Sequence, residues 1–238
     1  MTDRAVPKPD QYASCPFDGN VLEYYAGTFD AVYVSLSPFI RPVKISPSLF
    51  DADTYPRRGT VKTSCEPVPW RDVVAQTNIS SLSDVDVGLR TQISGLTSKF
   101  ENQTFANELD KLAKSTGIIP PPEGSHSDLL HDLVLGIFKE LGHEWVWIGD
   151  EFCTERKLHW IDDLMNEDDD VPAIGKHCNV FAPDKSILWT VHWDSHFSFL
   201  ASSVEILDRI GIDKRLEGFY CTSETEVFWS AKERHNNT

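Results

Sequence analysis

Residues 178–201, CNVFAPDKSILWTVHWDSHFSFLA, constrain the fold more than any other stretch of the chain. From Ile187 the odd positions run Ile187, Trp189, Val191, Trp193, Ser195, Phe197, Phe199 and Ala201. The even positions include Thr190, His192, Asp194, His196 and Ser198. A period of two marks β-strand, here with one apolar and one largely polar face. Fully extended, the run from 187 to 201 would reach about 50 Å at ~3.3 Å per residue, longer than most strands. A reversal near Asp194 and Ser195 is therefore expected. A two-residue loop would set Val191 opposite Ser198. A three-residue loop over Asp194, Ser195 and His196 sets Trp193 opposite Phe197 and Val191 opposite Phe199, keeping apolar residues together. The odd-length loop, or a sharply bent strand, is the expectation. It places Trp189, Val191, Trp193, Phe197 and Phe199 in the core and His192 on the other side of its strand. Pro183, Asp184 and Lys185 mark an earlier turn that joins 178–181 to 186–193.

Helical patterns fill the middle of the chain. Pro69 opens a short helix, Trp70–Gln76. Ser81 starts a run in which Val85, Leu89, Ile93, Leu96 and Phe100 fall at helical spacing. Thr104 caps another helix, stopped by Gly117, and Ser127 caps one stopped by Gly142. Strands are expected at 30–36, 143–148, 218–221 and 226–229, with helices at 154–165 and Val204–Ile210. The proline-rich span 37–69 reads as a long surface connection. Helices in the middle and strands clustered in the second half predict an α+β fold, its mainly antiparallel sheet in the C-terminal half packed against helices from the middle. One domain over 1–238 is expected. The Pro120, Pro121, Pro122 run at 118–125 marks a candidate subdivision into 66–117 and 126–230.

A net charge of −15 argues against nucleic acid or an anionic membrane as partner and suits a basic protein. No apolar run approaches a membrane span, and the first residues lack the apolar centre of a signal peptide, so a cytoplasmic protein is expected. Five cysteines, odd in number and without a CxxC pair, read as buried free thiols.

Two groups of residues invite a functional reading. His192, Asp194 and His196 supply two imidazoles and a carboxylate, the donor set of a non-haem iron or catalytic zinc site. In a straight strand the two histidines would lie about 13 Å apart, so that reading needs the turn at Asp194. Cys178 as a nucleophile, with His192 or His196 as base, is a weaker alternative. The second group is acidic. Asp150, Glu151, Glu155, Asp162, Asp163, Glu167, Asp168, Asp169 and Asp170 stand against only Arg156 and Lys157, interleaved with Phe152 and Trp160. A solvated face is the bland interpretation. The functional one is a surface made of Asp150, Glu151, Trp160, Asp162, Asp163, Glu167, Asp168, Asp169 and Asp170 that steers and docks a basic partner.

The stretches EPVPWRDVVAQTNISSLSDVDVGLRTQISGL (66–96) and ILWTVHWDSHFSFL (187–200) resemble a bacterial family of unknown function, domain-of-unknown-function family twenty-seven eleven. The resemblance carries no activity and no site residues. At the level of class, small acidic proteins of this kind are also similar to immunity proteins, which neutralise a basic toxin. The leading expectation is an acidic binding protein of immunity type, without cofactor. The alternative is a zinc- or iron-dependent enzyme centred on His192, Asp194 and His196.

Overall fold

A computed structural model describes residues 8–166, 168 and 172–233. Its centre is a seven-stranded sheet made of β1 (Ala31–Leu36), β4 (Trp145–Gly149), β5 (Arg156–Trp160), β6 (Asn179–Phe181), β7 (Ile187–Val191), β8 (Phe197–Ser202) and β9 (Gly218–Tyr220). The order across the sheet is β5-β4-β6-β7-β8-β1-β9 and every pairing is antiparallel. A separate two-stranded ribbon joins β2 (Phe39–Pro42) to β3 (Cys65–Val68). Among the described residues no helix is long and apolar enough to cross a membrane. The fold is α+β, as the order of patterns along the chain predicts.

Both faces of the sheet are buried at its central strands, β6, β7, β8 and β1. On one face Val32, Val34, Leu188, Phe197 and Phe199 pack with Trp70, Val85, Leu89, Leu109 and Leu112, from the Trp70–Gln76, Leu82–Gln92 and Gln103–Thr116 helices. On the other face Tyr33, Val146, Val180, Ile187, Trp189 and Leu200 pack with Val134, Ile137 and Phe138 of the His131–Glu140 helix and Leu207 of the Val204–Ile210 helix. Covering by helices on both sides removes the solvated polar face expected of residues 187–201. Thr190, His192 and Ser198 are all buried, each with a hydrogen-bond partner. Trp189, Val191, Phe197 and Phe199 are core as expected, but Trp193 lies at the turn and is 44 % exposed.

The hairpin register also differs from expectation. Val191 pairs with Ser198, Thr190 with Phe199 and Trp189 with Leu200. Odd residues of β7 therefore share a face with even residues of β8. With two apolar cores available, matching apolar to apolar across the ladder does not decide the register, and the 192–196 turn does. The earlier turn at Pro183, Asp184 and Lys185 forms as predicted, with Lys185 at φ 64° and Ala182 N–H bonded to Ile187 O.

Local signals set other boundaries. Ser81 accepts the Asp84 N–H, but its helix ends at Gln92 rather than near Phe100, because Ser94 takes φ 58° and Gly95 N–H turns back to Arg90 O. Asn102, not Thr104, caps the next helix by accepting the Thr104 and Phe105 N–H groups. The His131–Glu140 helix begins after Leu130 with no side-chain cap, so Ser127 does not cap it. The span 37–69 contains the β2/β3 ribbon and the Arg58–Ser64 helix. Residues 226–229 form no strand, and Trp229–Glu233 is helical. The helix expected at 154–165 is β5 followed by the Ile161–Asn166 helix. There the Asp150 carboxylate gathers the N–H groups of Thr154 and Glu155 into a tight turn that closes a β4–β5 hairpin.

Candidate protein-binding face

The pairings place one end of each central strand at a common rim. Gly149 sits opposite both Arg156 and Asn179, Asn179 opposite Thr190, and Val191 opposite Ser198. The loops at 150–155, 172–178 and 192–196 therefore gather at that rim.

The 150–155 loop is built on Asp150. Burial works against its charge. Hydrogen bonds from the Thr154 hydroxyl and from the Glu155 and Thr154 N–H groups nevertheless hold its carboxyl below the usual range. The turn presents Phe152, 68 % exposed, and the Cys153 thiol anchors the loop to Ala13 O at 2.9 Å. Beside it, Glu151 Oε2 lies 3.4 Å from His177 Nδ1. His177 N–H donates to Gly124 O and Gly124 N–H donates to Ser195 O, which ties this loop to the next. Only glycine fits at 124. A Cβ there would sit 2.4 Å from His177 Nε2 and 2.6 Å from Trp193 O, and φ is +57°.

In the 192–196 loop both imidazoles bond the protein's own backbone, while His196 Nε2 is buried with no hydrogen-bond partner among the described residues. His192 Nε2 donates to Phe17 O at 3.0 Å, while its Nδ1 accepts the Asp194 N–H at 3.2 Å. His196 Nδ1 donates to Pro121 O at 2.8 Å. Burial pushes both rings down to about 4, so both are neutral at physiological pH. Among the described residues no three His, Cys, Asp or Glu side chains form a metal-ligating group. The ligand reading of His192, Asp194 and His196 finds no support in this geometry, because the turn sends the two rings to separate carbonyls. Cys178 hydrogen-bonds Gly175 O, and burial pushes its thiol up to about 12, the opposite of an activated nucleophile.

Among the described residues the acidic stretch does not form one surface. Asp150 and Glu151 belong to the loop rim. Trp160, Asp162 and Asp163 lie at the opposite end of the sheet, where Trp160 pairs with Trp145 and Asp162 with Lys139. The whole of β5, roughly 17 Å at ~3.3 Å per residue, stands between them. Asp168 accepts the Gly59 N–H at 3.0 Å on yet another element. Glu167, Asp169 and Asp170 lie outside the described residues.

Sequence reasoning sets Phe152 among the acids but misses Phe17 and assigns Trp193 to the core. Phe17 is 67 % exposed and its ring centroid lies 5.7 Å from that of Trp193. Phe152 projects from the neighbouring loop. Each of the three exposed rings adjoins a carboxylate in sequence: Phe17 with Asp18, Phe152 with Glu151, Trp193 with Asp194. Those dipeptides were visible in the sequence, but only the convergence of the loops shows that they share a rim. Exposed aromatics rimmed by charge are what a protein-binding face offers, since buried rings anchor and carboxylates steer.

A family model described as protein of unknown function (DUF2711) matches residues 18–231. No curated protein and no solved structure matches the chain.

Proposed function

We propose that the chain, which belongs to the DUF2711 family, is a binding protein that docks a basic protein partner on its loop rim. Phe17, Phe152 and Trp193 are the anchors, and Asp18, Glu151 and Asp194 select a cationic surface. The observation that carries this reading is the gathering of three exposed aromatics, each next to an acidic residue in sequence, from distant parts of the chain at one end of the sheet. A net charge of −15 favours the same class of partner through long-range attraction. An immunity protein, with a basic toxin as its partner, is the specific form of this reading. Five cysteines present as free thiols fit a reducing compartment, so we place the protein in the cytoplasm.

A photo-crosslinking phenylalanine analogue placed in turn at Phe17, Phe152 and the exposed Leu49 of the Pro47–Leu49 turn tests the assignment in cells. The first two positions should capture one and the same basic protein, and Leu49 should not. Equal capture at all three, or an acidic captured protein, would overturn it.

A further inference from the structure

The outer edge of the β4–β5 hairpin is a second surface, without a paired strand among the described residues. Among the described residues strand β5 is terminal in the sheet and pairs with β4 alone. Ile161 N–H bonds Glu144 O at 2.9 Å and Asp150 N–H bonds Glu155 O at 3.1 Å. Antiparallel ladders alternate, so residues 155, 157, 159 and 161 turn their N–H and C=O groups toward β4. The same groups of Arg156, Leu158 and Trp160 therefore face outward from the edge.

The side chains of those three residues share a face with Trp145 and Trp147, and that end of the face is thinly covered. Trp145 is 42 % and Leu158 39 % exposed, and Trp145 and Trp160 meet edge-to-face at 4.8 Å. The other edge strand, β9, has three residues, too short to template much pairing. β5 has five, with no proline and no bulge in its pairing to β4. A regular edge beside exposed apolar side chains is a template for another strand.

We propose that this edge pairs with the same edge of a second copy, antiparallel about a two-fold axis through Leu158, joining two seven-stranded sheets into one. The strand is self-complementary in this register. Leu158 faces Leu158 of the second copy, and Arg156 faces Trp160, a cation above an indole. The strand begins with Arg156 and Lys157 and is followed by Asp162 and Asp163. In this register Lys157 faces His159 of the second copy, and Asp162 faces Thr154, diagonal to Arg156 at the roughly 7–8 Å that long side chains span. The net charge of −15 per chain opposes association, but charges more than about 8 Å apart are largely screened at physiological ionic strength. The interface adjoins the 150–155 loop but uses none of Phe17, Phe152 and Trp193, and it does not depend on the role of the rim.

Sedimentation of the full chain at micromolar concentration tests the pairing. The expected species has twice the 26.9 kDa chain mass. Leu158→Pro removes an outward N–H while leaving the bonds to β4 intact, so it should give a monomer with unchanged far-ultraviolet circular dichroism. Leu158→Asp should also give a monomer, and Leu158→Val should remain a dimer. A monomeric parent protein would overturn the proposal. So would a dimer that survives both Leu158→Pro and Leu158→Asp.

Discussion

The indole N–H of Trp189 on β7 donates to the hydroxyl of Ser198 on β8, 2.9 Å away and fully buried. This bond exists only because odd residues of one strand share a face with even residues of the next. It makes a serine an apolar-core residue and leaves Trp193, four positions after Trp189, free to project from the turn.

The two tryptophans should therefore behave oppositely. Trp189→Ala removes a buried ring and strands the Ser198 hydroxyl, and should cost about 3–5 kcal/mol. Trp193→Ala should stay within about 1 kcal/mol of the parent, as surface changes do. Equilibrium denaturation of both variants checks this. Comparable losses would mean that Trp193 is core.

How much of this was legible depends on where each residue finds its partners. The Val204–Ile210 helix could be read because its determinants are local: Ser203 caps it by accepting the Ile206 N–H, and Gly211 ends it at φ 57°. The β7–β8 pair could be read as strands but not as doubly buried. Thr190, His192 and Ser198 look solvent-facing by type, yet their partners are Asn179, the Phe17 carbonyl and Trp189. Only tertiary structure supplies such compensation. β5 reads as helix because Leu158, Ile161 and Met165 keep helical spacing, while the alternation of Leu158 and Trp160 against Lys157 and His159 is equally present. Its choice between the two is made by pairing with β4. The exposed rings of Phe17 and Phe152 carry no sign in the sequence of which side of the surface they occupy.

Acid should weaken the fold earlier than carboxylate titration alone would. Burial lowers His126 to about 3 and His192 and His196 to about 4, from an ordinary 6.5. Above pH 6.5 these rings are neutral in both states and add no pH dependence. As pH falls below 6.5 the unfolded chain takes up their protons first. Stability therefore drops until the folded rings protonate near pH 4 and below. Each ring adds a slope of up to about 1.4 kcal/mol per pH unit. Denaturant midpoints at constant m-value should fall between pH 6.5 and 5. A flat profile across that window would show that these histidines titrate normally in the folded protein.

Asp86 and Arg90, one helical turn apart and both without solvent exposure, should show strong coupling. Arg90 Nε bonds Asp86 Oδ2 at 3.0 Å, Ser230 donates to the same oxygen, and the guanidinium lies over the rings of Phe197 and Phe228. Removing one partner alone, as in Arg90→Met, leaves a buried charge and should cost about 3–5 kcal/mol. The double change Asp86→Leu with Arg90→Met should cost clearly less than the sum of the two single changes. A double-mutant cycle in denaturant measures this, and additive losses would show the pair to be energetically independent.

The most direct test of the docking account is the kinetics of binding to the partner captured at Phe152, measured at two salt concentrations. Neutralising the rim with Asp18→Asn, Glu151→Gln and Asp194→Asn should slow association about 10-fold and flatten its salt dependence, because screened charges govern encounter. Phe17→Ala with Phe152→Ala should mainly speed dissociation, because buried rings set residence time. Asp162→Asn with Asp163→Asn, at the far end of the sheet, should leave both rates unchanged. Rates unaffected by the rim and aromatic variants but altered by Asp162→Asn with Asp163→Asn would contradict the account and place the docking surface at the other end of the molecule.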